Sequence, residues 1–193
     1  MRVKVCGITS LEDARLCEEA GADAVGFVHF PGRSRSLSLG GIREICGELG
    51  PYLVRVLVCA PRNKEEAGRM LRESGADALQ CYSLGPEELS DLKEETRVIR
   101  AVPPEREEAL RYAGSADALL FESGVPGTGR GYDRSLVPLD CCARGIIAGG
   151  LTPTNLEEVI SLGPYGVDVS SGVESSPGRK DPGKVREFIG RCR

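Results

Sequence analysis

The chain has 193 residues, enough for one domain with a sizeable core, and a net charge of −4 with acidic and basic residues interspersed. It has no tryptophan and no basic stripe interleaved with aromatic residues, which argues against nucleic acid as a partner. Eight cysteines that form no C-x-x-C pair, beside a single histidine, argue against a zinc site, and we expect no metal.

The amino terminus and the hydropathy pattern bear on location. Residues 1–5, Met-Arg-Val-Lys-Val, are too short and too charged for a signal peptide. No stretch approaches the roughly 20 consecutive apolar residues that a membrane span requires. A chain of this length does not need a disulfide framework, and reduced thiols are typical of the cytosol. We therefore expect a cytoplasmic protein that does not contact a membrane.

Short β-branched runs alternate along the chain with charged segments that carry apolar residues at helical spacing. This alternation predicts eight strands, at Val3–Cys6, Ala24–Val28, Leu53–Cys59, Ala78–Cys81, Val98–Val102, Ala118–Phe121, Gly145–Ala148 and Val167–Ser170. Eight such units favour an α/β fold, a closed (β/α)8 barrel of the TIM type formed by residues 1–193 as a single domain. The chain is short for a fold that typically takes roughly 250 residues, so its loops must be short. An open doubly wound sheet is the alternative, but it would leave two edges.

A repeated motif lies just before or at the even-numbered strands. Gly-Ala-Asp-Ala or a close variant places Asp23, Asp77 and Asp117 just before strands two, four and six, and Gly-Val-Asp-Val places Asp168 at strand eight. Repetition by pairs of units is expected of a closed barrel with alternating interior layers. We interpret the four aspartates as structural caps at the amino ends of these strands, with a ligand-facing position as the alternative for Asp168.

Three helix starts are predicted from capping residues. Ser10 and Asp13 have the spacing of a capping box. Thr152-Pro153 and Asp181-Pro182 each combine an N-cap residue with proline at the first helical position.

Glycine-rich turns follow the last two predicted strands. Gly149-Gly150 come after strand seven, and Ser171-Gly172 come after strand eight. Glycine lets backbone N–H groups approach an anion closely, and helix amino termini favour negative charge. Glycines in a single turn can simply permit a tight bend. A pair of such turns, on the strands where barrels commonly bind phosphate, predicts a phosphate site.

Polar residues at the carboxyl ends of three other strands complete the candidate site, because function in such barrels resides at that end. Cys6, at the end of strand one, is either a small buried hydrophobe or a thiolate base. Arg33 or Arg35, after strand two, could bind a carboxylate. Glu122 lies at the root of a glycine-rich segment, 122–131, which we expect to close over a ligand.

These features together resemble the phosphoribosylanthranilate isomerases of tryptophan biosynthesis. The resemblance covers the whole chain in order, and its main motifs are Lys4-Val-Cys-Gly-Ile-Thr9, Ser34-Arg35-Ser36, Gly127-Thr-Gly129, Ala148-Gly-Gly-Leu151, Val167-Asp-Val-Ser-Ser-Gly-Val-Glu174 and Pro177-Gly-Arg-Lys-Asp181. The family's reaction is an Amadori rearrangement of N-(5-phosphoribosyl)anthranilate to 1-(2-carboxyphenylamino)-1-deoxyribulose 5-phosphate. It is acid–base chemistry that needs no cofactor.

The resemblance implies a role for each candidate residue. Cys6 is the base that removes the C2′ proton, and Glu122 occupies the position of the acid that protonates the furanose ring oxygen. Arg35 holds the anthranilate carboxylate. The phosphate binds at Gly149-Gly150 and Ser171-Gly172.

Three positions depart from the family's pattern. Glu122 stands where the family has an aspartate, Tyr82 where a histidine is usual after the fourth strand, and Arg134 where an aromatic residue is common. One extra methylene moves the acid by roughly an ångström, and misplacement of that order can cost ~100-fold in rate. Two alternatives stay open: a related phosphoribosyl isomerase of histidine biosynthesis, and a catalytically weakened phosphosugar-binding barrel. In each case the expected partner is a small phosphorylated molecule, and the chain is a monomer or a homodimer.

Overall fold

The computed structural model of the protein describes residues 1–122 and 132–193. The strands are β1 (Arg2–Cys6), β2 (Ala24–Val28), β3 (Val54–Cys59), β4 (Ala78–Cys81), β5 (Arg97–Val102), β6 (Ala118–Phe121), β7 (Gly145–Ile147), β8 (Gly166–Val169), β9 (Glu174–Ser176) and β10 (Arg179–Lys180). The helices are α1 (Leu11–Glu19), α2 (Leu39–Gly47), α3 (Lys64–Ser74), α4 (Pro86–Lys93), α5 (Arg106–Tyr112), α6 (Leu156–Ser161) and α7 (Pro182–Arg191). None of the helices within the described ranges is long and apolar enough to cross a membrane.

The first eight strands form a closed parallel barrel. Each strand pairs with the next along the chain, and β8 pairs with β1 through contacts such as Val3 with Val167. All eight predicted strands are confirmed, with ends that differ by no more than one residue. The open-sheet alternative is wrong, because the β1–β8 pairing leaves no edge. β9 and β10 form a small antiparallel hairpin after β8.

Two layers of apolar side chains stabilise the barrel. The larger one lies between the sheet and the helices, where alternate strand residues such as Val5, Leu57 and Leu119 are buried. The interior holds two smaller clusters, whose members are Ala101, Ala118, Leu120, Ile146 and Ala148 in one and Cys6, Val56, Val58 and Ala78 in the other. Because side chains alternate along a strand, the lumen receives every second residue.

The connection between β6 and β7 consists, in its described part, of turns rather than an α-helix. From residue 132 onward it contains two short 3₁₀ turns, Arg134–Leu136 and Leu139–Cys141. Pro138 lies between them, and proline cannot donate a backbone hydrogen bond to continue a helix.

Two of the three predicted helix starts are confirmed. The Ser10 hydroxyl accepts a 3.1 Å bond from the Asp13 N–H before α1. The Asp181 carboxylate accepts a 3.0 Å bond from the Lys184 N–H, with Pro182 at the first position of α7.

The predicted helix start at Thr152-Pro153 is wrong, because α6 begins only at Leu156. The Asn155 side chain organises the intervening turn instead. Its Oδ1 accepts the Thr152 N–H at 2.9 Å, and its Nδ2 donates to the Gly150 carbonyl at 2.8 Å. The turn after β7 is therefore held by an asparagine amide rather than by a capped helix.

The repeated aspartates at the amino ends of the strands are confirmed as caps in three of four cases. Asp23, Asp77 and Asp117 each accept a backbone N–H from the preceding strand, at 2.8, 2.9 and 2.9 Å. The interpretation of Asp168 is wrong, because it lies inside β8 rather than before it. Its register partner is Lys4 of β1, and both side chains are buried in the barrel.

Candidate active site

A cavity of about 480 Å³ opens at the carboxyl ends of the strands, within the size range of small-molecule sites. Its lining includes all seven residues predicted for the site, which are Cys6, Arg35, Glu122, Gly149, Gly150, Ser171 and Gly172. Other polar residues that line it are Arg33, Ser34, Gln80, Tyr82, Asp168 and Ser170. Polar residues from six separate strand ends therefore meet in one cavity. Their individual roles stay predictions.

Cys6 ends β1 and lies beside a buried ion pair. The Lys4 Nζ is 2.9 Å from the Asp168 Oδ1, and both side chains are less than one-tenth exposed. Gly26, the β2 register partner of Cys6, leaves room for them. A Cβ there would lie 2.8 Å from the Cys6 Sγ and 2.9 Å from the Lys4 Nζ. The thiol and the ammonium thus share the space that a side chain at position 26 would fill.

Two opposing effects act on the ionisation of Cys6. Burial raises the pKa of the thiol, because it disfavours the charged thiolate. The Lys4 ammonium opposes this and stabilises the thiolate. Burial alone would lower the pKa of Lys4, but Asp168 holds it above its ordinary value, so Lys4 remains a cation beside Cys6.

Glu122 follows β6 and belongs to a hydrogen-bonded chain of three side chains. The Tyr82 hydroxyl donates to the Glu122 Oε1 at 2.5 Å, and the Gln80 Nε2 donates to the Tyr82 oxygen at 3.0 Å. Burial raises the pKa of Glu122, an effect that the Tyr82 hydrogen bond opposes. Burial and the neighbouring Glu122 charge raise the pKa of Tyr82 well above its ordinary value, so the phenol stays protonated.

Arg35 is held in a bidentate pair by a carboxylate of the same chain. Its Nε and Nη2 donate to the two oxygens of Glu174 at 2.8 and 2.7 Å. The buried Lys180 donates to the same carboxylate at 3.1 Å. Gly7, with φ of +74°, makes room for the arginine, since a Cβ there would lie 2.7 Å from the Arg35 Cδ. Within the described residues the Arg35 Nη1 makes no hydrogen bond, so it is available to a ligand.

The two glycine-rich turns after β7 and β8 touch each other. A Cβ on Gly172 would overlap the Leu151 carbonyl oxygen. Gly149 and Gly150 have φ of +85° and +65°, which glycine adopts without strain. Among the described residues, no protein acceptor takes a hydrogen bond from the backbone N–H groups of Gly149, Gly150, Ser171 or Gly172. The turns therefore present unused donors in the cavity.

Sequence reasoning missed Lys4 and Gln80, favoured a structural cap for Asp168, and identified Tyr82 only as a departure from the family's pattern. The signal that could have identified them is the two-residue alternation of strands. Lys4 lies two residues before Cys6, and Gln80 lies two before Tyr82, so each pair faces the lumen. A charged residue on the inner face of a buried strand is itself an indication of function. The predicted closing loop lies outside the described residues, apart from Glu122 at its root.

Comparisons with known proteins agree along the whole chain. The sequence model of the family described as N-(5'phosphoribosyl)anthranilate (PRA) isomerase matches residues 3–191. The N-(5'-phosphoribosyl)anthranilate isomerase of Methanothrix thermoacetophila is 40% identical, with 100% of this chain and 98% of that protein covered. The chain belongs to this family. The family resemblance noted from the sequence motifs is thus confirmed, and with it an isomerase of tryptophan biosynthesis.

Solved structures of family members also match the fold. The phosphoribosyl anthranilate isomerase of Thermus thermophilus is 41% identical, with a TM-score of 0.92 and coverage of 100% of this chain and 98% of that one. A second phosphoribosyl anthranilate isomerase was solved in complex with reduced 1-(o-carboxyphenylamino)-1-deoxyribulose 5-phosphate. It is 36% identical, with a TM-score of 0.88 and coverage of 98% and 96%.

Two of the three departures from the family's pattern are in direct contact in this structure. Glu122 and Tyr82 share the 2.5 Å hydrogen bond, so the longer acid and the unusual phenol form one unit. The third departure, Arg134, donates from its Nη2 to the Gly149 carbonyl at 2.8 Å and so lies against the turn after β7. Among the described residues, no group of three or more His, Cys, Asp or Glu side chains could hold a metal ion.

Proposed function

We propose that this cavity isomerises N-(5-phosphoribosyl)anthranilate to 1-(2-carboxyphenylamino)-1-deoxyribulose 5-phosphate, with Cys6 as base and Glu122 as acid. The observation that carries the assignment is their meeting in one cavity with Arg35 and with two turns of unused N–H donors. The two glycine-rich turns offer backbone donors for a phosphate, and Arg35 offers a guanidinium for a carboxylate. The substrate carries both groups.

The proposed reaction has three steps and balances its protons. Glu122 protonates the furanose ring oxygen, and the ring opens to a Schiff base. The Cys6 thiolate then removes the proton from C2′, which gives an enolamine. The enolamine tautomerises to the ketone as its hydroxyl proton moves to C1′. One proton has left Glu122 and one has reached Cys6, so exchange with solvent restores both groups.

The electrostatics of the cavity suit these roles. Burial raises the pKa of Glu122, which favours the protonated acid before the first step. Lys4 counteracts the effect of burial on Cys6 and so favours the thiolate needed in the second step. The pKa of Cys6 still lies above its ordinary value, because burial outweighs Lys4, so Lys4 reduces the cost of forming the thiolate without making it the favoured form.

The proposal extends to the cellular context of the reaction. Acid–base chemistry of this kind needs no cofactor, and the proposed site uses only side chains and backbone groups of the chain. We propose that residues 1–193 act as a single domain in the cytoplasm, as a monomer or a homodimer.

The decisive experiment is turnover of the anthranilate substrate by purified protein. The fluorescence of the substrate's anthranilate group should fall with time, and Cys6→Ala should reduce kcat by ~100-fold or more with little change in affinity for the reduced product analogue. Constant fluorescence with tight binding would instead identify a binding barrel. Turnover of the substrate of the histidine-pathway isomerase, but not of the anthranilate, would favour that alternative.

A further inference from the structure

Tyr82 connects the proposed acid to the barrel wall. It follows β4, and its hydroxyl is the only described side-chain group that donates a hydrogen bond to Glu122. The Phe30 ring packs edge-on against the Tyr82 ring, with centroids 5.8 Å apart and an interplanar angle of 78°. Aromatic packing on one side and a hydrogen bond from Gln80 on the other leave the phenol little freedom.

The direction of these hydrogen bonds follows from the groups involved. The Gln80 Nε2 can only donate, so the Tyr82 oxygen accepts from it and the Tyr82 proton points to Glu122. A carboxyl that receives a donor at Oε1 keeps Oε2 for its own proton. The acidic proton of Glu122 is thereby assigned to the oxygen that Tyr82 does not occupy.

Glutamate needs such a partner more than aspartate does. Its extra methylene adds a rotatable bond, and fixing a glutamate side chain costs more rotamer entropy than fixing a shorter one. A misplacement of about 1 Å at a reacting group can cost ~100-fold in rate. A fixed donor at Oε1 therefore compensates for the freedom that the longer side chain introduces.

We propose that Tyr82 is a positioning residue that holds Glu122 so that its free oxygen delivers the proton to the substrate. This inference rests on the proposed function of Glu122 as the acid. It explains why the two departures from the family's pattern occur together in this chain, at opposite ends of one hydrogen bond.

Other charged and titratable groups also face Glu122, and each interaction shifts a pKa in a defined direction. The Asp168 carboxylate raises the pKa of Glu122, and the Lys4 ammonium lowers it. Burial raises the pKa of the Tyr132 phenol, and the nearby Glu122 charge adds to this effect while Arg134 opposes it. Tyr82 stabilises the ionised form of Glu122. Its removal should therefore raise the pKa of the acid while the other influences stay constant.

The test compares Tyr82→Phe with the wild type over a range of pH. Because the acid must be protonated, kcat falls as pH rises past the pKa of Glu122. Tyr82→Phe should lower kcat by ~10- to 100-fold, leave KM within about threefold, and move this basic limb to higher pH. A purely structural role of Tyr82 would not move the limb. Unchanged kcat and an unmoved limb would overturn the proposal.

The matched control is Tyr112→Phe. Tyr112 is a buried tyrosine whose hydroxyl accepts from Arg100 at 3.4 Å, and it lies outside the cavity. Its loss should leave kcat and the basic limb unchanged. Thermal midpoints of both variants show whether each remains folded.

Combining Tyr82→Phe with Glu122→Asp shows whether Tyr82 acts on kcat through Glu122 or independently of it. In Glu122→Asp the carboxyl retreats from Tyr82 by about 1 Å or more, so the hydrogen bond is broken already. Tyr82→Phe should then change kcat by less than about threefold. An equal loss in both backgrounds would overturn the proposal, because the hydroxyl would be acting without the carboxylate.

Glu122→Gln distinguishes the two levels of inference. If Glu122→Gln kept the wild-type kcat, Glu122 would not be the acid, and the positioning role of Tyr82 would be rejected with it. A loss of ~100-fold or more in Glu122→Gln, together with unchanged kcat in Tyr82→Phe, would preserve the acid and reject only the positioning role.

Discussion

Lys4 and Asp168 form a buried ion pair across the seam that closes the barrel. The 2.9 Å contact joins β1 to β8, and these are the strands whose pairing removes the sheet edge. The same ammonium acts on Cys6, the proposed base. Buried ion pairs contribute little net stability over apolar replacements, but breaking one is costly. Because an ion pair here adds little stability, we expect the charge of Lys4 to act mainly on the thiol.

Replacing Lys4 with Met should raise the pKa of Cys6, because the cation that opposes burial is gone. The proposed base must be ionised, so the acidic limb of kcat/KM should move to higher pH. The rate of Cys6 alkylation by iodoacetamide, followed by peptide mass spectrometry, should show the same shift. The unpaired Asp168 should also lower the free energy of unfolding by about 3–5 kcal/mol.

The control for this prediction is Lys64→Met, which removes an exposed lysine paired with Asp91. Exposed pairs contribute about 0–1 kcal/mol, and this one lies outside the cavity. In Lys64→Met, the pH dependence of kcat/KM and that of Cys6 alkylation should both match the wild type. If Lys4→Met left the pH dependence of Cys6 alkylation unchanged, the result would show that Lys4 does not shift the pKa of the thiol.

Glu174→Gln should weaken substrate binding and stability together. Glu174 orients Arg35 through two hydrogen bonds and neutralises the buried Lys180. Without the carboxylate, we expect KM to rise ~10-fold or more, because Arg35 loses its fixed geometry. The free energy of unfolding should fall by about 3–5 kcal/mol. Glu48→Gln, which breaks the exposed pair with Arg15, is the matched control and should cost no more than about 1 kcal/mol.

The same carboxylate predicts how stability depends on pH. Burial would raise the pKa of Glu174, but Arg35 and Lys180 hold it below its ordinary value. The stability it contributes is therefore present above the unfolded value of about 4.3 and is lost as pH falls through the lower folded value. Urea unfolding should show a smaller loss of stability below about pH 4.3 in Glu174→Gln than in the wild type. Parallel pH curves for the two proteins would contradict this.

Gly172→Ala should impair the proposed phosphate site without touching the acid or the base. Its Cβ would overlap the Leu151 carbonyl oxygen, so one of the two turns must move. Inhibition by inorganic phosphate should weaken by ~10-fold or more, the cost of misplacing several charge-assisted hydrogen bonds. Gly40→Ala, in α2, is the control, because its Cβ meets nothing within 4 Å. It should leave phosphate inhibition unchanged, whereas equal inhibition in both variants would argue against a phosphate site at these turns.

The barrel could be predicted from the sequence because its signals are local. A strand such as Ala78–Cys81 and the cap at Ser10 are encoded by neighbouring residues, and a repeating unit needs only to be counted. The site could be predicted in outline because the carboxyl ends of parallel strands converge in a closed barrel. Cys6, Glu122 and the glycine turns lie at those ends and so meet in the cavity.

Contacts between residues far apart in the chain could not be predicted in this way. Arg35 and Glu174 are 139 positions apart, and Lys4 and Asp168 are 164 apart. Their pairing depends on the shear of the barrel and on which strand closes it, which no local pattern records. The same limit explains the error at Asp168. The motif matched the caps at Asp23 and its equivalents, but its aspartate is displaced into the strand.

Asp77→Ala and Asp168→Asn test the distinction between an aspartate that caps a strand and one that acts in the cavity. Asp77 caps a strand at the amino end of the barrel, where it accepts the Arg55 N–H at 2.9 Å and pairs with the Arg55 side chain. Its loss should lower the free energy of unfolding by about 1–2 kcal/mol and leave kcat/KM unchanged, because the residue is far from the cavity. Asp168→Asn keeps the size of the side chain but removes the charge that holds Lys4, so it should lower kcat/KM by ~10-fold or more. Steady-state kinetics and urea unfolding of the two variants measure both effects, and a loss of activity in Asp77→Ala comparable to that in Asp168→Asn would show that the repeated aspartates share one role after all.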